Sequence, residues 1–345
     1  MGKPSRSRQL PKRGAGIFTA VLVFLWASAF LSACNQGRKP EEGGRKITIA
    51  VTPWPASASV YIAREKGYFR EEGLDATLQS FSSGHLGLAA VLAGKADFAT
   101  ASETPITRAA LDARPFALIA TVSSSDRAYR IVARKDRGIS TPRDLVGKKV
   151  GRVAGTGADF FLDIFLTTSY VDPKGVRIVH LEPDGITPAL LRGDVDAVCT
   201  WPPSTNALMD RLGGNAAVLS EPGLHCMTWN IVAARSLAQG DPDVIVRFLR
   251  AIVRANRLIE EHPGEARSIT AKNTGMDLSA LEREWDDYHM IAGLDQGLLL
   301  LMEDQARWMI ARGISAAPRV PNFLAVVSPE GLRTVLPESV VLAGR

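Results

Sequence analysis

Six short segments of this chain place small hydroxylated residues, glycine, tryptophan and proline where a strand should give way to a helix. They are Pro53-Trp54-Pro55, Ser82-Ser83-Gly84, Ser102-Glu103-Thr104, Gly155-Thr156-Gly157, Glu182-Pro183-Asp184 and Trp201-Pro202-Pro203. The chemistry such residues suit is non-covalent capture. A helix amino terminus carries N–H groups without intrahelical partners and a partial positive charge, so it can hold an anion or a polar group. Serine and threonine add hydrogen bonds, and glycine lets the backbone approach closely. Any one segment is explained by ordinary helix capping. The set, alternating between two stretches of the chain, points to a shared site at the carboxyl ends of strands. Trp54 and Trp201 are each followed by proline; such rings either stack on a planar or methyl-rich ligand or cover a hinge.

Covalent and cofactor chemistry find little support. Gly155-x-Gly lacks the Gly-Lys-Ser/Thr of a phosphate-binding loop and the third glycine of a dinucleotide fold. There is no Gly-x-Ser-x-Gly elbow. The histidines, at 85, 180, 225, 262 and 289, are never paired at i, i+4. His225-Cys226-Met227 offers metal-ligand types, but neighbours on a strand point to opposite faces. No metal or cofactor is expected, and no enzymatic activity. His85, at the mouth of a helix, reads as a surface helix residue before a ligand contact.

The elements that must position these segments occur twice. ITIAVT, a helix ending at Gly67, DATLQSF, a helix opened by Ser82-Ser83-Gly84, and ADFATAS form one series. KKVGRV, a helix opened by Gly155-Thr156-Gly157, RIVHL, a helix around PALL, and DAVCTW form the other. Tyr68 and Tyr170 are 102 residues apart, Gly73 and Gly175 also 102, and Asp97 and Asp196 are 99 apart. Strands alternating with helices predict parallel sheets. The fold class expected is α/β: two lobes, each a mainly parallel sheet flanked by helices, joined by two crossing strands (YRIVARKD and TWNIVAARS), with a cleft between them. Lobe one takes residues 46–128 and 228–345, lobe two 129–227. From Asp241 onward the pattern is helical, and the Leu298–Leu301 run reads as buried all round.

The formal charge of +5 on 345 residues is local: Lys3, Arg6, Arg8, Lys12 and Arg13 account for all of it. The rest is near neutral, so nucleic acid is not an expected partner. Residues 1–33 combine that basic stretch with an apolar run and end at Leu31-Ser32-Ala33, the pattern of a secretory signal peptide. Leu31-Ser32-Ala33-Cys34 resembles a bacterial lipobox, which implies cleavage before Cys34 and lipidation of it. Residues 34–45 are polar and glycine-rich, a flexible tether. The expected location is outside the cytoplasm, lipid-anchored to a bacterial membrane and facing the periplasm or cell exterior. Cys199 and Cys226 read as two buried strand thiols; a bridge between them stays open.

The lipobox, ITIAVTPW, GYFREEGLDATLQSFSSG, LAGKADFATAS, ISTPRDLVGKKVGRVAGTG and LLRGDVDAVCTWPP together resemble solute-binding lipoproteins of ABC importers. The branch is the nitrate, sulfonate and taurine group, which also includes binders of thiamine pyrimidine precursors. The resemblance is strong over residues 46–262. It implies the type II periplasmic binding fold, hinge closure on a small solute, and delivery to permease and ATPase subunits by a monomer. Contacts implied by motif position are Trp54, Ser82, Ser83, Gly84, Ser102, Glu103, Thr156, Gly157, Glu182 and Trp201. Glu103, Asp159, Glu182 and Asp184 are expected to rim the cleft, which together with Trp54 and Trp201 would favour a neutral, zwitterionic or aromatic amine-bearing solute over nitrate. A ligand-sensing lipoprotein, or an enzyme like the pyrimidine-precursor synthases, are the alternatives.

Overall fold

The computed structural model describes residues 1–2 and 44–343. The predicted leader, Cys34 and nearly all of the tether lie outside the described residues. The chain from Gly44 onward forms one compact unit.

Its strands fall into two sheets. The first holds β1 (Arg45–Val51), β2 (Leu74–Ser80), β3 (Phe98–Ser102), β4 (Phe116–Ser125), β10 (Met227–Ala234), β11 (His289–Asp295) and β12 (Val340–Val341), in the order β12-β11-β4-β10-β3-β1-β2. The second holds β5 (Arg130–Arg134), β6 (Lys149–Arg152), β7 (Arg177–His180), β8 (Ala197–Thr200) and β9 (Ala216–Leu219), in the order β7-β6-β8-β5-β9. Helices α1 (Ala58–Glu65), α2 (Tyr68–Glu71), α3 (Gly84–Leu92) and α4 (Glu103–Leu111) accompany the first sheet. Helices α5 (Gly157–Thr168), α6 (Ile186–Arg192) and α7 (Ser204–Leu212) accompany the second. The chain then adds α8 (Arg235–Gly240), α9 (Pro242–Glu261), α10 (Pro263–Thr274), α11 (Leu278–Glu284), α12 (Gln296–Ala311) and α13 (Glu330–Val335).

The internal repeat is visible as matching topology. β2-β1-β3 and β7-β6-β8 are both parallel triplets with the first strand in the middle. The two aspartates 99 residues apart do the same work. Thr48 N donates to Asp97 Oδ2 at 2.7 Å while Asp97 N donates to Thr48 O at 2.9 Å. Lys149 N donates to Asp196 Oδ2 at 2.9 Å while Asp196 N donates to Lys149 O at 2.8 Å. Each carboxylate extends the ladder by one rung just before its third strand, β3 or β8. The left-handed glycines Gly94 and Gly193 supply the turn before it, at φ +70 and +81. Both sheets are mixed rather than mainly parallel, because β10 is antiparallel to β3 and β4, and β5 is antiparallel to β8 and β9. The predicted crossing strands do not themselves span the lobes. β5 lies wholly in the second sheet and β10 wholly in the first; the crossings are the short links at 126–129 and 220–226.

Downstream of Asp241 the helical reading holds for α9, whose Val244, Phe248, Ile252, Leu258 and Ile259 are buried as the stripe predicts. Phe248 stacks on Phe98 and Phe69 at 4.1 and 5.2 Å between centroids. Two details differ. HMIAGLD is strand β11, paired antiparallel with β4, because its short alternation finds a free sheet edge. In the leucine run, Leu298 and Leu299 are buried but Leu300 is 54% exposed, since only one side of α12 meets the sheet. Thr141-Pro142 opens a single 3-10 turn, Pro142–Leu145.

Replacing either aspartate tests the repeat. Asp97→Ala leaves the Thr48 amide, in a half-buried site, without its acceptor and should lower unfolding free energy by about 1–2 kcal/mol in urea titration. Asp196→Ala should cost less, because that bond is exposed to water.

Candidate functional site

Three helix amino termini meet where the sheets face each other. α3 starts at Gly84 after extended Ser83, α4 at Glu103 after extended Ser102, and α5 at Gly157 after extended Thr156. None of these three N-cap side chains bonds its own first-turn amides. Ser83 Oγ instead lies 2.8 Å from His85 Nδ1, and Thr156 Oγ1 donates to Val153 O at 2.8 Å. Between them is a cavity of about 20 Å³ lined by Trp54, Ser83, Gly84, His85, Ser102, Pro105, Tyr129, Thr156, Trp201 and Trp229. That volume holds about one water molecule, so the lobes are closed on each other.

The walls beside the helix starts are aromatic. Trp54, 2% exposed, donates its indole N–H to Tyr288 Oη at 2.7 Å and meets Trp229 edge-to-face at 4.6 Å. Trp229 donates its own N–H to Ser57 Oγ at 2.9 Å. Tyr129, on the first link between the sheets, lies 6.5 Å from Trp54 and 6.5 Å from Trp201. The first-turn glycines are where the rings need them. A Cβ on Gly84 would sit 2.9 Å from the Trp229 ring, and one on Gly157 would overlap the Tyr129 hydroxyl.

Of the residues expected in the site, Trp54, Ser83, Gly84, Ser102, Thr156 and Trp201 line this cavity. Gly157 stands directly behind it against Tyr129. Ser82 and Glu182 are exposed and do not line it. Glu103 lies beneath it, 0% exposed. Its carboxylate accepts from Thr228 N at 2.9 Å and Gln305 Nε2 at 2.8 Å, and His225 Nε2 is 3.1 Å away. Burial alone would raise its pKa; His225, Thr228 and Gln305 outweigh that and hold it below the usual range. His225 in turn stacks on Tyr129 at 5.7 Å.

The expected acidic rim is therefore absent from the cavity lining. Asp159 pairs with Arg152 at 2.5 Å, and Asp184 is exposed. For Glu103 sequence reasoning could not see this, because Gln305 and Thr228 reach it from 202 and 125 residues away; Arg152 is near Asp159 in sequence, and only the fold shows that the two side chains meet. It also missed His85, Pro105, Tyr129 and Trp229 as lining residues; the start of α3 at Gly84 was the available signal for His85. Burial lowers the His85 pKa, and Glu182 across the cleft opposes that. Both remaining cysteines are free. Cys199 is buried and donates to Ala158 O at 3.2 Å, with its thiol pKa pushed up by burial. Cys226 is exposed, because His225 and Cys226 belong to the second link and β10 begins only at Met227.

Side-chain contacts fasten the lobes on two sides of the cavity. Asp163 of α5 accepts from Trp308 Nε1 at 2.9 Å and pairs with Arg312 at 3.0 Å. On the other side Arg130 pairs with Asp287 at 2.8 Å, and Asn206 Nδ2 donates to Glu284 Oε2 at 3.2 Å. A larger groove of about 580 Å³, lined by Phe160, Ile164, Cys226, Leu298 and others, opens beyond His225; the start of α12 lies on it, but there the N-cap carboxylate of Asp295 already accepts from Leu298 N.

A sequence model described as NMT1/THI5 like matches residues 54–266. The chain belongs to the NMT1/THI5-like family. The proteins it is similar to are diverse: a taurine-binding periplasmic protein of Escherichia coli is 26% identical over 61% of this chain and 65% of that one. A 4-amino-5-hydroxymethyl-2-methylpyrimidine phosphate synthase of Aspergillus parasiticus is 29% identical over 64% of this chain and 68% of that one. The alkanesulfonate-binding protein SsuA of Xanthomonas axonopodis, solved with MOPS, shares the fold at TM-score 0.72 and 21% identity, covering 82% of this chain and 98% of that one.

Two predictions follow from these contacts. Gly157→Ala must displace the Tyr129 ring and should destabilise the chain by about 1–3 kcal/mol in thermal or urea unfolding. Glu284 is 4% exposed, and burial, opposed by Asn206 and Arg130, raises its pKa to about 7. The folded chain thus keeps a proton that the unfolded chain releases near the ordinary glutamate value. This contribution is full below that value and is lost as pH rises through about 7. Glu284→Gln should melt higher than the native chain at pH 8 and alike at pH 4.5, by calorimetry.

Proposed function

We propose that this chain is the extracytoplasmic solute-capturing component of an ABC importer, anchored through a lipid on Cys34 and acting as a monomer. Lobe one would comprise residues 46–128 and 228–345, and lobe two residues 129–227. The observation that carries the reading is the single cavity on which α3 and α4 from one lobe and α5 from the other converge. The similarity to a taurine-binding protein supports it. The solute would be a small organic acid of sulfonate or taurine type. Its acid group would sit at the starts of α3, α4 and α5, with hydrogen bonds from their backbone amides and from Ser83 and Ser102, while Thr156, whose hydroxyl donates to Val153 O, would line the contact. Trp54, Gly84 and Trp201 complete the contact surface. Ser82 and Glu182 would edge the entrance. Glu103 and Gly157 would position the wall without touching the solute. The two lobes part to admit the solute and close over it, and the closed form is what permease and ATPase partners would recognise.

The lining favours capture over catalysis. Ser83 Oγ and His85 Nδ1 stand 2.8 Å apart, but among the described residues no third side chain is hydrogen-bonded to the imidazole to orient it as a base. A pyrimidine-like solute ranks second, because the acids that would pair with its amino group are engaged elsewhere.

A thermal-shift series on the chain begun at Arg45 tests the reading. Ethanesulfonate or taurine should raise the melting temperature in a concentration-dependent way, by several degrees at about 100 times Kd. Stabilisation by an aminopyrimidine and by neither sulfonate would contradict it.

A further inference from the structure

The cavity is unusually rich in rings. Trp54, Tyr129, Trp201 and Trp229 all line it, with Trp229 packed beside the start of α3 and Tyr129 beside the start of α5. The indole N–H groups of Trp54 and Trp229 are both spent on protein acceptors, Tyr288 and Ser57. Toward the cavity these two rings offer apolar and π surface only. The four rings form two right-angled corners. Trp54 and Trp229 meet at 80°, and Tyr129 and Trp201 at 89°. One corner belongs to the first sheet's lobe. The other joins the link between lobes to the end of β8.

We propose that the solute carries a flat π-bonded body, one aromatic ring in size, attached to its acid group. This rests on the solute-capture reading above and specifies the class of solute. A flat ring held between two others needs about 7 Å between the outer centroids, twice an ordinary contact distance. Trp54 and Tyr129 stand 6.5 Å apart and inclined at 49°. A small rotation and opening therefore admits one ring between them, while an alkyl chain leaves the right-angled corners unfilled. Ring contacts of offset or edge-to-face kind add to the gain from area alone.

Aromatic walls also suit cations. Here, however, the rings share the cavity with three helix amino termini, whose partial positive charge opposes an ammonium group in the same small space. Glu103 cannot offset that charge at the cavity, because its carboxylate is committed to Thr228, Gln305 and His225. The geometry thus separates a flat acid from a zwitterion of taurine type.

Isothermal titration of the purified full-length chain with benzenesulfonate, ethanesulfonate, taurine and benzyl alcohol tests the proposal. Benzenesulfonate should bind at least about tenfold tighter than ethanesulfonate or taurine, and benzyl alcohol should bind more weakly than benzenesulfonate. Trp201→Ala should reduce affinity for benzenesulfonate more than for ethanesulfonate. The ratio measured on the native chain decides the matter even if that variant does not fold. Ethanesulfonate or taurine binding as tightly as benzenesulfonate overturns the flat-body proposal and leaves the solute-capture reading standing. Benzyl alcohol binding as tightly as benzenesulfonate overturns the acid-group assignment, and no binding of any of the four overturns both.

Discussion

The buried carboxylate of Glu103 ties together the parts on which the cavity depends. It stands at the first position of α4, has no contact with solvent, and gathers Thr228, Gln305 and His225. A carboxylate so placed persists only because these groups replace the water it has lost. Through them it fixes β10, α12 and the second link between the sheets. His225, held by that link, stacks on Tyr129 of the first link, and Tyr129 forms a wall of the cavity. One buried charge thus sets the relation between both chain crossings and the place where the lobes meet.

The scaffold around this anchor explains why the cavity lies where it does. In each parallel triplet the helices that follow the strands begin at the carboxyl edge. Two triplets facing each other therefore aim their helix starts at one point. The aspartate rungs at Asp97 and Asp196 stand just before β3 and β8, at the amino ends of those strands and away from that point. Contacts from Asp163 to Trp308 and Arg312, and from Glu284 to Asn206, then hold the lobes shut on two sides. Each of these is a small polar contact, and such contacts are the kind that open and reform with modest energy.

Much of this was legible in the residues themselves. The repeat spacing of Gly73 with Gly175 and Asp97 with Asp196 reflects real structural equivalence. The hydroxylated segments at Ser83, Ser102 and Thr156 mark real helix starts around one cavity. These signals are local, set by turn geometry and strand periodicity. What escaped was set by distance. Glu103 reads as a cleft acid until Gln305, 202 residues later, is seen to bind it. Asp159 likewise is neutralised by Arg152 across a turn that its own segment does not reveal. Tyr129 and Trp229 sit in strands or links whose sequence gives no hint of which side they face. β11 was hidden because a strand of seven residues directly after the acid-rich stretch of α11 resembles a helix end.

The central claim is that both lobes hold one solute at converging helix starts. The most direct measurement is a crystal structure of the chain grown with a sulfonate. The account predicts acid oxygens within hydrogen-bond distance of backbone amides at the starts of α3 and α5 together, with the solute enclosed by Trp54, Tyr129 and Trp201. A sulfonate bound to one lobe alone with the lobes closed, or seated in the groove beside Phe160 and Leu298, would contradict it.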